Sequence, residues 1–79
     1  MTSSPEVNNR TGTNDDVYNL IWFTEASLSN AARLEGHIDD ALRDGDQELA
    51  EFFRKAQRVS RKGGDLGKRL LASRLQAAD

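Results

Sequence analysis

The sequence predicts an all-α fold: an antiparallel two-helix hairpin that dimerises into a four-helix bundle. Apolar residues recur at helical spacing on both sides of one clear break, at Gly45 and Asp46. The two halves are nearly equal in length, and a connection of two or three residues is typical of antiparallel helices. A 79-residue chain without cysteine is too small to bury a large core and cannot form disulfides. Self-association is therefore the expected source of additional stability.

The chain is expected to begin with a disordered tail over residues 1–13, followed by the helical domain over residues 14–79. The tail is rich in Ser, Thr and Asn and offers little to bury. Thr13 suits the N-cap of the first helix, and Asp15 and Asp16 suit its positive end. Apolar or small residues then follow with the period of a helix: Val17, Leu20, Ile21, Thr24, Leu28, Ala31, Leu34, Ile38 and Leu42.

The second helix is predicted to start directly after the break. Gly45 suits a left-handed residue that ends the first helix, and Asp46 suits the N-cap of the next. Phe53 and Leu71 widen a stripe that otherwise has a 3-4-3-4 spacing. Its members are Leu49, Phe52, Ala56, Val59, Gly63, Leu66, Leu70, Ser73 and Ala77.

The segment RKGGDLG, residues 61–67, leaves two interpretations of the second helix open. Three glycines inside a helix cost about 1 kcal/mol each relative to alanine, so the chain could break near residues 63–65, with Asp65 capping a third helix. Val59, Leu66 and Leu70 nevertheless keep the helical register across the glycines, which favours one continuous helix. The spacing and the absence of a preceding strand exclude a phosphate-binding Walker loop.

Charge is distributed unevenly along the chain. Residues 1–53 hold eleven acidic and three basic side chains, whereas residues 54–74 have a net charge of +7. In an antiparallel hairpin, Lys68, Arg69 and Arg74 would face the carboxylates of Asp15, Asp16 and Glu25, so nucleic-acid binding is the less favoured explanation. The candidate basic surface consists of Arg54, Arg58, Arg61, Lys62 and Arg69.

A second apolar edge on each helix indicates a partner. Tyr18 and Trp22 lie roughly opposite the stripe of the first helix, where an exposed aromatic pair is costly unless something covers it. Phe52 and Phe53 cannot both point into one seam. The candidate surface for dimerisation or for an unknown protein partner consists of Tyr18, Trp22, Phe23 and Phe53.

Neither a catalytic nor a metal site is predicted. Glu35 lies within the stripe of the first helix, but the second helix has no Glu-x-x-His to complete a di-iron site. The one histidine, His37, has no nucleophile beside it and is expected to be a solvated helix residue. We therefore expect no enzyme activity and no cofactor.

The stretch LEGHIDDALRDGDQELAEFFRKAQRVSRKGGDLGKRLLASRL, residues 34–75, resembles a helical-hairpin half of the ferritin-like and rubrerythrin-like bundles. It is also similar to short uncharacterised bacterial proteins of that pattern. The resemblance implies a four-helix bundle assembled from two hairpins, without the ferroxidase ligands, because residues 57–62 read QRVSRK. The matching positions are His37, Asp39, Asp40, Ala41, Gly45, Asp46, Glu48, Leu49, Ala50, Phe52, Phe53 and Arg54.

These features predict a small, non-enzymatic helical protein that self-associates and acts through protein–protein contacts. The alternatives are a nucleic-acid-associated regulator that uses the basic second helix, and a metal-less relic or storage protein of the ferritin-like class. No apolar run approaches the ~20 residues that span a bilayer, and the N-terminal residues do not have the pattern of a signal peptide. A cytoplasmic location without membrane contact is the resulting expectation.

Overall fold

A computed structural model describes residues 13–77, which form two long helices and no strand. Helix α1 spans Thr13–Arg43 and helix α2 spans Gln47–Ala77, with 31 residues in each. As the residue number increases along α2, the number of the contacting residue in α1 decreases: Phe53 lies beside His37, and Gln57 lies beside Ala31. The helices are therefore antiparallel, and the predicted all-α hairpin is confirmed.

The turn between the helices is closed by backbone hydrogen bonds and by one side chain. Gly45 has a φ of 76°, and its N–H donates to the Leu42 carbonyl at 3.0 Å, while the Asp46 N–H donates to the Ala41 carbonyl at 2.9 Å. These two bonds satisfy two of the carbonyls in the last turn of α1. Asp46 Oδ1 then accepts the N–H of Leu49 at 3.0 Å and caps α2. The predicted roles of Gly45 and Asp46 are both confirmed.

Helix α2 is continuous through Gly63, Gly64 and Gly67. The alternative of a break near residues 63–65 with a third helix is therefore wrong. The glycines do not interrupt the helix because two of them are buried against α1. A Cβ atom at Gly64 would overlap the Leu28 side chain, and one at Gly67 would overlap the Thr24 hydroxyl.

Helix α2 packs on α1 through a row of residues that we call the inner seam. Gln57 is buried in this row, and its Nε2 donates to the Ala31 carbonyl at 3.0 Å and to Glu35 Oε1 at 2.9 Å. Ser60 Oγ accepts a hydrogen bond from Asn30 at 2.9 Å. The inner seam consists of Ala50, Phe53, Gln57, Ser60, Gly64 and Gly67.

The buried apolar core is small, and more than half of its members are alanine. No large side chain among the described residues is fully buried. Since an alanine side chain contributes little apolar area, this core stabilises the hairpin only modestly. The buried apolar residues are Ala31, Leu34, Ile38, Ala41 and Ala50.

The predicted tail lies outside the described residues, apart from Thr13. That residue was predicted as the N-cap and is the first residue of α1. Asp15 and Asp16 occupy the first turn of the helix, as predicted, where acidic side chains interact favourably with the helix dipole.

Candidate association surface

Helix α2 exposes a row of five large apolar side chains that we call the apolar stripe. Their exposed fractions range from 41% at Leu49 to 72% at Val59. They follow the 3-4-3-4 spacing with which one helix packs along another, and Ala56 and Gly63 occupy positions between them. The apolar stripe consists of Leu49, Phe52, Val59, Leu66 and Leu70.

Each residue of the inner seam follows a position of the predicted 3-4-3-4 pattern by one residue. Ala50 follows Leu49, and Ser60 follows Val59. One residue corresponds to a rotation of about 100° around a helix. The pattern recognised in the sequence therefore lies on a neighbouring face of α2, and the large apolar side chains are left outside the hairpin.

Helix α1 extends this exposed face on one side. Phe23, which is 49% exposed, lies against Gly63: its Cζ would be 3.5 Å from a Cβ built at that glycine. At the open end of the hairpin, Leu20 of α1 and Leu70 of α2 line one shallow groove. The apolar stripe and these two α1 side chains thus form a surface shared by both helices.

The four aromatic residues proposed from the sequence do not form one patch. Tyr18 and Trp22 are 66% and 64% exposed and lie on the side of α1 that faces away from α2. Phe53 is half-buried, with its ring centroid 5.4 Å from that of His37 and 5.6 Å from that of Phe52. Phe53 is therefore part of the hairpin itself, while Tyr18 and Trp22 form a separate aromatic pair.

The sequence of α2 contains a signal for this surface. Leu49, Val59, Leu66 and Leu70 were recognised as apolar but were not proposed as a site. The signal is the presence of two rows in α2, one residue apart: one contains five large apolar residues, and the other contains mostly small or polar residues, with Phe53 as its one large apolar member. A helix approaching closely favours the row with small side chains, which leaves the larger row for another partner.

The basic side chains proposed from the sequence lie largely on one side of α2. Arg58, Arg61, Lys62 and Arg69 line a shallow depression together with Asp65 and Leu66. Arg54 and Arg58 lie 3.4 and 3.8 Å from the carboxylate of Glu51.

The expected facing of basic residues in α2 and carboxylates in α1 is seen at the open end of the hairpin. Arg74 and Asp16 line the same groove at the open end of the hairpin. Arg69, by contrast, points into the depression beside Arg58 and Arg61, on the side of α2 away from α1.

Glu35 and His37 take part in packing contacts between the helices. Glu35 accepts the hydrogen bond from Gln57 described above, so its partner in α2 is a side-chain amide. His37 is exposed and stacks at a tilt of 46° on Phe53. Among residues 13–77, no three His, Asp or Glu side chains are grouped closely enough to hold a metal ion.

Comparisons with known proteins found no matching family model, no similar curated protein and no similar solved structure. The resemblance to ferritin-like hairpins therefore stays a prediction. Neither α1 nor α2 contains a stretch that is long and apolar enough to cross a membrane.

Proposed function

We propose that this chain is a non-enzymatic protein–protein association module that works as a homodimer, with two hairpins forming a four-helix bundle. The observation that carries this proposal is the exposed apolar stripe of α2. A row of large apolar side chains in water, interrupted here only by Ala56 and Gly63, is unfavourable, and such rows are typical of interaction surfaces. Burying one such side chain completely contributes about 1.5–3 kcal/mol.

The spacing of the stripe favours a helix as the partner. Side chains that alternate at three and four residues insert between those of a second helix along its whole length. The stripe runs from Leu49 to Leu70, which corresponds to about 32 Å of helix. A single loop or a compact pocket would cover only part of that length.

A second copy is the occupant that accounts for both the stripe and the small core. Five buried apolar residues, three of them alanine, provide little stabilisation for two helices of 31 residues each. A partner that supplies the missing burial must be present whenever the chain folds, and another copy of the chain always is. The stripe, Leu20 and Phe23 form one broad face that can pack on itself about a two-fold axis.

Sedimentation equilibrium of three versions of the protein tests the proposal. The natural chain is expected to be a dimer, and Val59→Gln/Leu66→Gln is expected to be a monomer that remains helical, because both side chains are at least half exposed in the hairpin. The control is Tyr18→Gln/Trp22→Gln, which removes two similarly exposed apolar side chains from another face and is expected to remain dimeric.

The outcomes separate the two candidate surfaces. A natural chain that is monomeric at all concentrations overturns the homodimer. A dimer lost in Tyr18→Gln/Trp22→Gln but retained in Val59→Gln/Leu66→Gln shows that the interface is the aromatic pair, and the assignment to the stripe is then wrong.

A further inference from the structure

The depression on the outer side of α2 is lined by four basic residues that the association surface does not use. We call Arg54, Arg58, Arg61, Lys62 and Arg69 the basic ridge. We propose that the basic ridge binds the phosphate backbone of double-stranded nucleic acid. This inference goes beyond the association function and does not require it.

The ridge lies on one side of one continuous helix. At 100° per residue its five members fall within a sector of about 100°, and from Arg54 to Arg69 it extends about 22 Å. A duplex carries one negative charge per roughly 1.7 Å of its axis, so about 13 phosphate charges occur along that length. The ridge therefore has the length and the charge spacing to contact several phosphates at once.

The charge of the ridge remains largely uncompensated within the hairpin. Glu51 is shared by Arg54 and Arg58, and Asp65 is the one carboxylate in the depression. Arg61, Lys62 and Arg69 form no ion pair with residues 13–77. The geometry thus weakens the explanation that this basic run serves the pairing of the two helices.

The composition of the ridge favours a duplex over a single strand. Single strands are usually held by aromatic side chains on which bases stack, and the sequence contains no aromatic residue after Phe53. Protein interfaces usually have an apolar or aromatic centre, whereas four of the six residues that line this depression are arginine or lysine, beside Asp65 and Leu66. Arginine forms paired hydrogen bonds with phosphate oxygens, which suits a backbone contact without base recognition.

Arg54, Arg58 and Arg61 lie furthest from the apolar stripe and stay accessible in the proposed dimer. Val59 and Leu66 of the apolar stripe lie about 140–160° around α2 from Arg61 and about 60–80° from Arg69, so the two surfaces point in different directions and meet at Leu66, which also lines the depression. A dimer would carry two ridges, and loss of the dimer would leave each ridge intact.

Fluorescence anisotropy with a labelled DNA duplex of about 20 base pairs, at roughly 50–200 mM salt, tests the inference. Four phosphate contacts predict that log K falls with log salt with a slope of about −3.6, which is roughly a 150-fold loss over that range. Arg61→Gln/Arg69→Gln is expected to bind at least tenfold more weakly at the lowest salt and to have a slope smaller by about 1.8.

The matched control is Arg33→Gln/Arg43→Gln, which removes the same charge from exposed positions of α1. This variant is expected to keep the affinity and the slope of the natural chain. An equal loss in both variants would mean that net charge alone matters, and the ridge would not be the site.

The same titration with other ligands decides which class of molecule the ridge binds. The absence of any binding to duplex DNA or duplex RNA at the lowest salt overturns the proposal. Equal or tighter binding of polyglutamate overturns it in favour of an acidic protein partner. Equal binding of a single strand of the same length shows that the assignment to a duplex is wrong.

Discussion

Gly64 and Gly67 determine how closely the two helices approach, because a Cβ atom at either position would overlap a side chain of α1. Thr24 is held in place because its hydroxyl donates to the Leu20 carbonyl at 2.7 Å, and Gly67 lies directly against it. The neighbouring Gly63 differs, since an added Cβ there would be 3.5 Å from Phe23 and Ser27, an ordinary contact distance. Identical residues four positions apart thus have different roles.

We expect the free energy of unfolding of Gly67→Ala to be lower than that of Gly63→Ala by about 1–3 kcal/mol, which is the usual cost of overpacking a close contact. Both substitutions gain the same helix propensity, so the difference isolates the contact with Thr24. Urea denaturation of the two variants measures it. Gly36→Ala is the open control, because no atom lies within 4 Å of a Cβ added there, and it is expected to gain up to about 1 kcal/mol. Equal stability of Gly67→Ala and Gly63→Ala would contradict the close approach.

Gln57 shows how a polar residue can belong to a helix seam. It is 7% exposed, and its amide donates to one backbone and one side-chain oxygen of α1. A buried amide without partners is unfavourable, so the two bonds favour the register in which Gln57 lies between Ala31 and Glu35. The sequence pattern did not identify this residue, because Phe53 is the one strongly apolar member of the inner seam.

At the scale of elements, Asp46 joins the two helices. Its N–H closes the end of α1 and its carboxylate caps the start of α2, so one residue satisfies groups of both helices. This arrangement explains why only three residues, 44–46, separate helices of 31 residues. The turn was predictable because its signals are local: a glycine for the positive φ and an aspartate for the cap.

Asp46→Ala is expected to destabilise the protein by about 1 kcal/mol, the usual effect of removing an N-cap. Asp46→Asn keeps an oxygen in reach of the Leu49 N–H and is expected to retain most of the stability. Thermal denaturation of both variants by circular dichroism measures the difference. If Asp46→Asn loses as much as Asp46→Ala, the charge and not the capping bond is responsible.

Helix α2 has two candidate faces, and propensity alone does not choose between them. The apolar stripe has the larger side chains, yet α1 occupies the inner seam one residue further on. Which face of α2 packs on α1 depends on which face allows the two helices to approach closely. This is a property of both helices together and not of α2 alone. The continuity of α2 across its glycines follows from the same contact, since Gly64 and Gly67 are buried by it.

At the scale of the whole molecule, the hairpin exposes more large apolar side chains than it buries. Leu34 and Ile38 are the large members of its core, whereas eleven large apolar side chains among the described residues are exposed. Small domains with so little burial usually depend on association. Stability is therefore expected to depend on the concentration of the chain.

We expect the thermal midpoint of the natural chain to rise with protein concentration, because folding and association are linked by mass action. The midpoint of Val59→Gln/Leu66→Gln is expected to be lower and independent of concentration. Calorimetry over a hundredfold range of concentration checks both statements. A concentration-independent midpoint in the natural chain would show that the isolated hairpin is sufficient for folding.

The sequence by itself determined the helical class, the position of the turn and the presence of two helices, because these depend on periodicity and on local capping. It also located the basic residues of α2 and the exposed aromatic pair of α1. Only the tertiary structure decided which row of α2 meets α1, that the helix continues through residues 63–67, and that the apolar stripe remains outside. The physical reason is that close packing selects complementary surfaces: glycines that are unfavourable in an isolated helix are favourable where Leu28 and Thr24 occupy the space of their missing side chains.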